Sequence, residues 1–138
     1  MRWPPERARK AFTESSVARL STVSEEGWPH CVPVTFAVDG DTVAIAIDHK
    51  PKSTVNVKRL ANIGQNPKVC LLADVYSDDW SQLWWARADG TAQVVGRGEQ
   101  REHALDTLQA KYPQYADRRP EGPVILVHVV RWSGWSFR

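Results

Sequence analysis

The chain has 138 residues and a mass of 15.6 kDa, a length that reads as one domain spanning residues 1–138, able to bury roughly 68% of its unfolded surface. With 42% hydrophobic and 25% charged residues, the composition excludes wholesale disorder and fibrous repeats, and a formal charge of +2 is too weak for a general nucleic-acid binder. The outlier is aromatic, with seven Trp against three Phe and three Tyr.

The N-terminus carries no apolar leader region, and no stretch approaches the roughly 18 uninterrupted apolar residues of a membrane span, so the expectation is a cytoplasmic protein that needs no membrane. After Pro4 and Pro5, the spacing of Ala8, Ala11 and Phe12 predicts a short helix over 6–16 with one apolar stripe. Residues 19–23 read as a strand, Glu25-Glu26-Gly27 as a turn, and 29–38 as a second strand with Val32, Val34, Phe36 and Val38 on one face. Pro29 and Pro33 place part of that strand where ladder donors are not needed. Asp39-Gly40-Asp41 predicts a hairpin turn. In the returning strand Val43, Ile45 and Ile47 alternate with Ala44 and Ala46, whose small face admits close packing.

A helix is expected to end by Asn66-Pro67, since the residue before proline disfavours helix. Its start is either a cap at Ser53 or Thr54 or a position near Lys58. Val57, Leu60, Ala61 and Gly64 are its expected inward stripe, with Lys58, Asn62 and Gln65 on the polar side. The run Val69-Cys70-Leu71-Leu72-Ala73 predicts a strand covered on both faces. Residues 83–95 predict one bent strand or two short ones, broken at Asp89-Gly90. A helix follows over 99–112 with Ala104, Leu105, Leu108 and Tyr112 inward and Pro113 stopping it, then a strand over 124–132. Five or six strands with two or three helices and hairpin-length connections imply a mainly β, antiparallel barrel with flanking helices.

Two constellations carry chemistry. The segment 48–59 holds Lys50, Lys52, Lys58 and Arg59 against one acid, Asp48, and lies between a strand and a helix start. Helix-terminal amides favour an anion by roughly 0.3–1 kcal/mol, and Ser53 or Thr54 adds a neutral donor, so the segment outlines a phosphate site; the alternative is a solvated charged turn. Trp80, Trp84, Trp85 and Arg87 form the second. A buried Trp contributes on the order of 5 kcal/mol of gross burial, so these residues serve equally as core or dimer interface. Adjacent Trp84 and Trp85 point to opposite faces of a strand, and one of them therefore needs a ligand or subunit.

No GxGxxG, P-loop, HExxH or GxSxG motif occurs, and His30, His49, His103 and His128 show no metal-ligand spacing; no metal site is expected. His128, inside an apolar strand, reads as a core or interface residue, and His49, beside the lysines, has the better claim to a role. Cys31 and Cys70 sit in apolar strand-like runs without partners and read as buried free thiols. No residue declares itself catalytic. A cofactor that carries the reactive chemistry fits this inventory better than side chains acting alone.

The motif Gly27-Trp28-Pro29-His30-Cys31-Val32-Pro33-Val34-Thr35-Phe36, followed by the basic turn and the segment 59–67, resembles the pyridoxamine 5'-phosphate oxidase-like split β-barrel superfamily across nearly the whole chain. Within it, residues 48–52, Lys58-Arg59-Leu60, Asn62-Ile63 and Asp79-Trp80 with Leu83-Trp84-Trp85-Ala86-Arg87 resemble the actinobacterial deazaflavin-dependent oxidoreductases. The resemblance implies a split β-barrel of about six strands and a homodimer with two interfacial sites for coenzyme F420 or a flavin. By position, Lys58 and Arg59 match the pair used on the cofactor phosphate, with Lys50, Lys52 and Ser53 extending the grip. Val32, Pro33 and Val34 match the strand along the ring system, and Trp80, Trp85, Arg87 and Trp135 would be walls supplied partly by the partner subunit. The C-terminus, residues 131–138, lacks the Arg-Leu-His-Asp-Arg-like ending of the true oxidases, which makes vitamin B6 oxidation a minor alternative. The implied activity is hydride transfer from reduced F420 to an electron-poor small molecule. An FMN-dependent oxidase or reductase, or a flavin- or haem-binding module without turnover, are the alternatives.

Overall fold

The computed structural model describes residues 1–47 and 54–138, with side chains in the second helix from residue 58 onward. The described strands are β1 (Ala18–Val23), β2 (Pro29–Val34), β3 (Ala37–Asp39), β4 (Thr42–Ala46), β5 (Lys68–Val75), β6 (Trp84–Val95) and β7 (Val124–Ser136). They form one sheet in the order β2-β1-β5-β6-β7-β4-β3, with every neighbouring pair antiparallel. Helices α1 (Pro5–Glu14), α2 (Thr54–Gln65), α3 (Glu99–Lys111) and the one-turn α4 (Gln114–Asp117) flank it.

There are seven strands rather than about six because the run expected as one strand over 29–38 breaks at Thr35-Phe36. The break has a topological cause. β2 and β3 occupy the two opposite edges of the sheet, yet only two residues separate them, a span of at most about 11 Å. The sheet must therefore curl until its edges nearly meet, and the residues on its concave side close into a core of Leu20, Val34, Phe36, Val43, Ile45, Leu71, Ala86, Ala88, Ile125 and Val127.

The polar groups of the closing link are met by the corner between α3 and α4. The Phe36 amide donates to Tyr112 Oη at 3.1 Å, and Thr35 Oγ1 lies 2.8 Å from Tyr115 Oη. Tyr112 Oη also donates to the Ser16 carbonyl at 2.7 Å. Lys111 Nζ donates to the carbonyls of Ser15 and Thr13 at 2.6 and 3.3 Å and lies 3.7 Å from the centre of the Phe36 ring. One corner thus ties the end of α1 to the seam of the barrel.

The alanine face of β4 is packed as expected: Ala44 and Ala37 lie against Ala104, Leu105 and Leu108 of α3, with Val124 and Leu126, in a second apolar cluster. α1 lays Ala8 and Phe12 on the other side, Phe12 meeting Phe36 at 4.6 Å and Trp132 at 5.4 Å between ring centres. β6 is one strand with a register shift between Asp89 and Gly90, and β7 runs four residues beyond its expected end, to Ser136. Residues 1–3 fill the place beside that extension: Arg2 bridges Trp135, and the Trp3 amide donates to the Gly134 carbonyl at 2.9 Å.

Two expectations are corrected. β5 is not covered on both faces, because no described helix lies outside it; Val69, Leu71 and Ala73 are buried while Cys70 and Leu72 are half-buried. Leu60 packs against the core as expected, but the buried positions of α2 are Arg59, Asn62 and Ile63, Ala61 and Gly64 are exposed, and the side chain of Val57 lies outside the described residues. The helix is turned from the expected orientation because Asn62 finds a buried partner: its Nδ2 donates to Thr22 Oγ1 at 3.0 Å.

A Cβ at Gly90 would lie 2.2 Å from the His128 carbonyl oxygen, whereas one at Gly96 meets nothing within 4 Å. Gly90→Ala should therefore cost about 1–3 kcal/mol or more in urea unfolding and Gly96→Ala less than about 0.5 kcal/mol. Burial pushes the Lys111 ammonium down from the ordinary 10.5 to about 8. Below about pH 8 it is protonated in folded and unfolded chains alike; from there to 10.5 only the unfolded chain keeps the proton, so stability rises with pH across this window. Lys111→Met should flatten that rise in urea midpoints measured between pH 7 and about 10.5.

Candidate functional site

Strand alternation and register define what the convex side of the sheet presents. One row across five strands reads Pro33, Arg19, Leu72, Arg87, Ser133; the next reads Cys31, Ser21, Cys70, Asp89, Arg131; a third joins Asp74, Trp85 and Trp135. The alternate residues Leu20, Leu71, Ala73, Ala86 and Ala88 point into the core. No described helix covers these three rows, which remain exposed or half-buried.

This face gathers several of the predicted site residues. Trp85 and Trp135 are cross-strand partners, and both are half-buried. The Arg87 guanidinium lies 5.4 Å from the Trp85 ring centre and pairs with Asp89 at 3.1 Å, while Arg19 pairs with Asp74 at 3.4 Å. The face therefore offers flat aromatic surface edged by guanidinium groups whose charge is shared with carboxylates. Trp84, as its parity requires, points to the other side, where it stacks on Trp3 at 5.6 Å.

Trp80 stands apart, on a single 3-10 turn over Trp80–Gln82 that begins with the Asp79 carboxylate accepting from the Ser81 amide and hydroxyl. Those hydrogen bonds hold the Asp79 carboxyl below its usual range. Trp80 is 60% exposed and meets Phe137 edge-on at 6.4 Å, so it extends the aromatic strip past the end of β7. Tyr76, 78% exposed, continues the strip at the end of β5, whereas Val75, the register partner of Trp84, lies on the other side.

On β2, Val34 is buried, Val32 is half-buried against the core, and Pro33 is exposed on the convex face. β2 pairs only with β1, which leaves one row of its peptide groups directed away from the sheet. Lys50, Lys52, Ser53 and His49 lie outside the described residues. Lys58 and Arg59, neighbours about 100° apart around α2, point different ways. Lys58 is exposed on a groove of about 330 Å³ with Trp28, Glu25 and Glu26, and Arg59 is 6% exposed beneath the helix.

The sequence pattern missed the polar cluster under α2. Thr22 is buried, its register partner is His30, and Asn62 reaches it from the helix. Nδ1 of His30 is shielded from solvent with no hydrogen-bond partner among the described residues. The only available signal was Asn62 standing four residues before the helix-ending Asn66-Pro67, and its polarity argued for the wrong side. His128, expected in the core or an interface, is exposed on β7, opposite Thr91.

The two cysteines are free, as expected, but not both buried: Cys31 is exposed and Cys70 half-buried. Both flank Ser21 in the second row, which puts them two strand spacings, roughly 9.6 Å, apart and beyond the roughly 7 Å reach of a disulfide. Burial, with the Asp89 carboxylate beside it, pushes the Cys70 thiol up to about 11. Among the described residues no cluster of three or more His, Cys, Asp or Glu could hold a metal ion, and no helix is long and apolar enough to cross a membrane.

A curled antiparallel sheet with helices on its flanks is the split β-barrel that the sequence pattern led one to expect. Residues 4–136 match the family model described as pyridoxamine 5'-phosphate oxidase; the chain belongs to that family. It is 30% identical over 99 residues to the 5a,11a-dehydrotetracycline/5a,11a-dehydrooxytetracycline reductase of Streptomyces rimosus, covering 70% of this chain and 68% of that one. The fold is similar to that of an FAD-binding protein from Mycobacterium smegmatis (TM-score 0.68, 18% identity, all of both chains). It is also similar to that of an FAD-binding protein from Mesorhizobium loti (TM-score 0.73, 17% identity, 97% of this chain and 95% of that one).

The burial of Cys70 has a direct readout. With iodoacetamide at pH 8, peptide mapping should show Cys70 modified at least about tenfold more slowly in the folded chain than in urea, since its folded-state thiolate at that pH is on the order of one part in a thousand. Equal rates would contradict the placement of Cys70.

Proposed function

We propose that this chain is a reductase that transfers a hydride from reduced coenzyme F420 to an electron-poor small molecule, and that it works as a homodimer whose convex sheet faces meet over two cofactor sites. The observation that carries this reading is the uncovered face of Trp85, Trp135, Arg87 and Pro33, extended by Trp80, Tyr76 and Phe137. An exposed aromatic strip of this kind marks an interface or a ligand surface rather than scattered surface apolarity. A second subunit laid on it would bury the roughly 800 Å² per partner of an ordinary stable interface.

The residues fit a fused-ring coenzyme. Trp85 and Trp135 offer flat surface, the free peptide edge of β2 beside Pro33 offers donors and acceptors for a polar ring edge, and Arg87 offers a cation. Lys58, exposed on α2, is suited to the anionic tail, and Lys50, Lys52 and Ser53 are assigned to the same tail from the sequence. The coenzyme supplies a two-electron donor; the chain's part is to hold it, exclude water and align the acceptor at the roughly 3–3.5 Å that a reactive pair requires. Support for the deazaflavin over FMN comes from the motif of residues 79–87, and support for reduction from the Streptomyces relative.

Titration of the purified protein with F420 and separately with FMN, followed by tryptophan fluorescence, tests this. F420 should quench with a micromolar Kd at one site per chain, FMN at least tenfold more weakly. Trp85→Leu and Lys58→Ala should each weaken F420 binding by about tenfold, equivalent to about 1.4 kcal/mol, with far-UV circular dichroism unchanged. Micromolar FMN binding without a response to F420 would replace the coenzyme with FMN, and no response to either would overturn the enzymatic reading.

A further inference from the structure

A groove separate from the Trp85 and Trp135 face lies between α1 and the rim where β5 ends and β6 begins. It is open to solvent and holds about 650 Å³, room for a small organic molecule. Its aromatic lining is Trp84 stacked on Trp3, ring centres 5.6 Å apart and planes at 28°. Trp3 is buried and fixed from two sides: its amide donates to the Gly134 carbonyl and its Nε1 to Ser136 Oγ, each at 2.9 Å. Gly134 is required here, since a Cβ would lie 2.7 Å from the Trp3 ring. The aromatic surface is therefore set before any ligand arrives.

The groove's lining carries two cations, Arg7 and Lys10, and two acids, Glu14 and Asp74, and both acids are paired with cations other than Arg7. Lys10 pairs with Glu14 at 3.5 Å, and Asp74 pairs with Arg19 at 3.4 Å. The Arg7 guanidinium lies 4.4 Å from the Trp3 ring centre and has no carboxylate partner among the described residues. With both acids already paired, the groove presents flat aromatic surface and one uncompensated cation. A guanidinium held over an indole keeps its in-plane N–H groups available for an anionic oxygen.

We infer that this groove is a subsite for a flat conjugated ring system bearing one anionic oxygen group, a carboxylate or an enolate. The ring would lie against Trp84 and the anion would meet Arg7. Asp74, at the groove's rim, is the register partner of Trp85, so a molecule in the groove borders the proposed cofactor face. Trp84 points to the opposite side of β6 from Trp85, so this is a second ligand site beside the proposed coenzyme face and not the place of hydride transfer.

The probes are 2-naphthoate and its neutral counterpart 2-naphthylmethanol, titrated into the cofactor-free protein and followed by indole and amide NMR shifts. Naphthoate should move the indole signals of Trp3 and Trp84 and bind at least tenfold more tightly than the alcohol. Arg7→Gln, at an exposed position, should bring the two within about twofold of each other while shifts elsewhere stay in place. Trp84→Phe should weaken both ligands. Equal affinity of acid and alcohol, shifts confined to Trp85 and Trp135, or a preference that survives Arg7→Gln would overturn the inference. Loss of the coenzyme reading has its own signature, naphthoate binding in a protein that responds to neither F420 nor FMN.

Discussion

The two-residue link Thr35-Phe36 joins strands that lie at opposite edges of a seven-stranded sheet, and most of the architecture follows from that constraint. A sheet whose edges are tied must curl, and a curled sheet has two unequal sides. The concave side encloses the core. The convex side is covered by helices only where they reach, and α1, α2 and α3 all engage the concave side, the barrel's ends or the β3–β4 flank. The seam itself is maintained by α3, through Tyr112, Tyr115 and Lys111, which also fasten the end of α1.

The uncovered side carries the proposed coenzyme site. In a chain of this size, leaving Trp85, Trp135, Leu72 and Pro33 uncovered costs apolar burial that an isolated domain would ordinarily recover, at roughly 25 cal/mol per Å². A second subunit and a fused-ring coenzyme would both offset it. The ion pairs Arg87 with Asp89 and Arg19 with Asp74 keep this face soluble while leaving planar cations beside flat rings. The tryptophan excess thus divides by role: Trp3, Trp84 and Trp132 pack with α1 and the N-terminal segment, whereas Trp85, Trp135, Trp80 and Trp28 remain at the surface.

Beneath α2 the fold places polar groups where a regular apolar stripe was expected. Arg59, Asn62 and Thr22 are buried together with one nitrogen of His30, and a buried polar set of this kind fixes the helix orientation more narrowly than apolar packing does. That orientation sends Lys58 outward and Arg59 inward. An exposed cation and a buried one that seats the helix therefore come from adjacent positions of the same turn.

Alternation along the strands, the turn signals at Gly27 and Gly40, the proline stops and the break at Asp89-Gly90 fixed element types and most boundaries locally, because those features act within a few residues of one another. The opposite directions of Trp84 and Trp85 were legible for the same reason. Which strand faces are covered was not, since coverage depends on where helices distant in sequence come to rest: Cys31 and one face of β5 stand open because no described helix reaches them. The break at Thr35-Phe36 and the turned face of α2 belong to the same class, as edge closure and the pairing of Asn62 with Thr22 join residues whose proximity exists only once the sheet has curled. The sequence by itself determined the family and the strands and suggested candidate site residues; the tertiary structure decided which of them share a face, because only the register across five strands brings Pro33, Arg87, Trp85 and Trp135 to one surface.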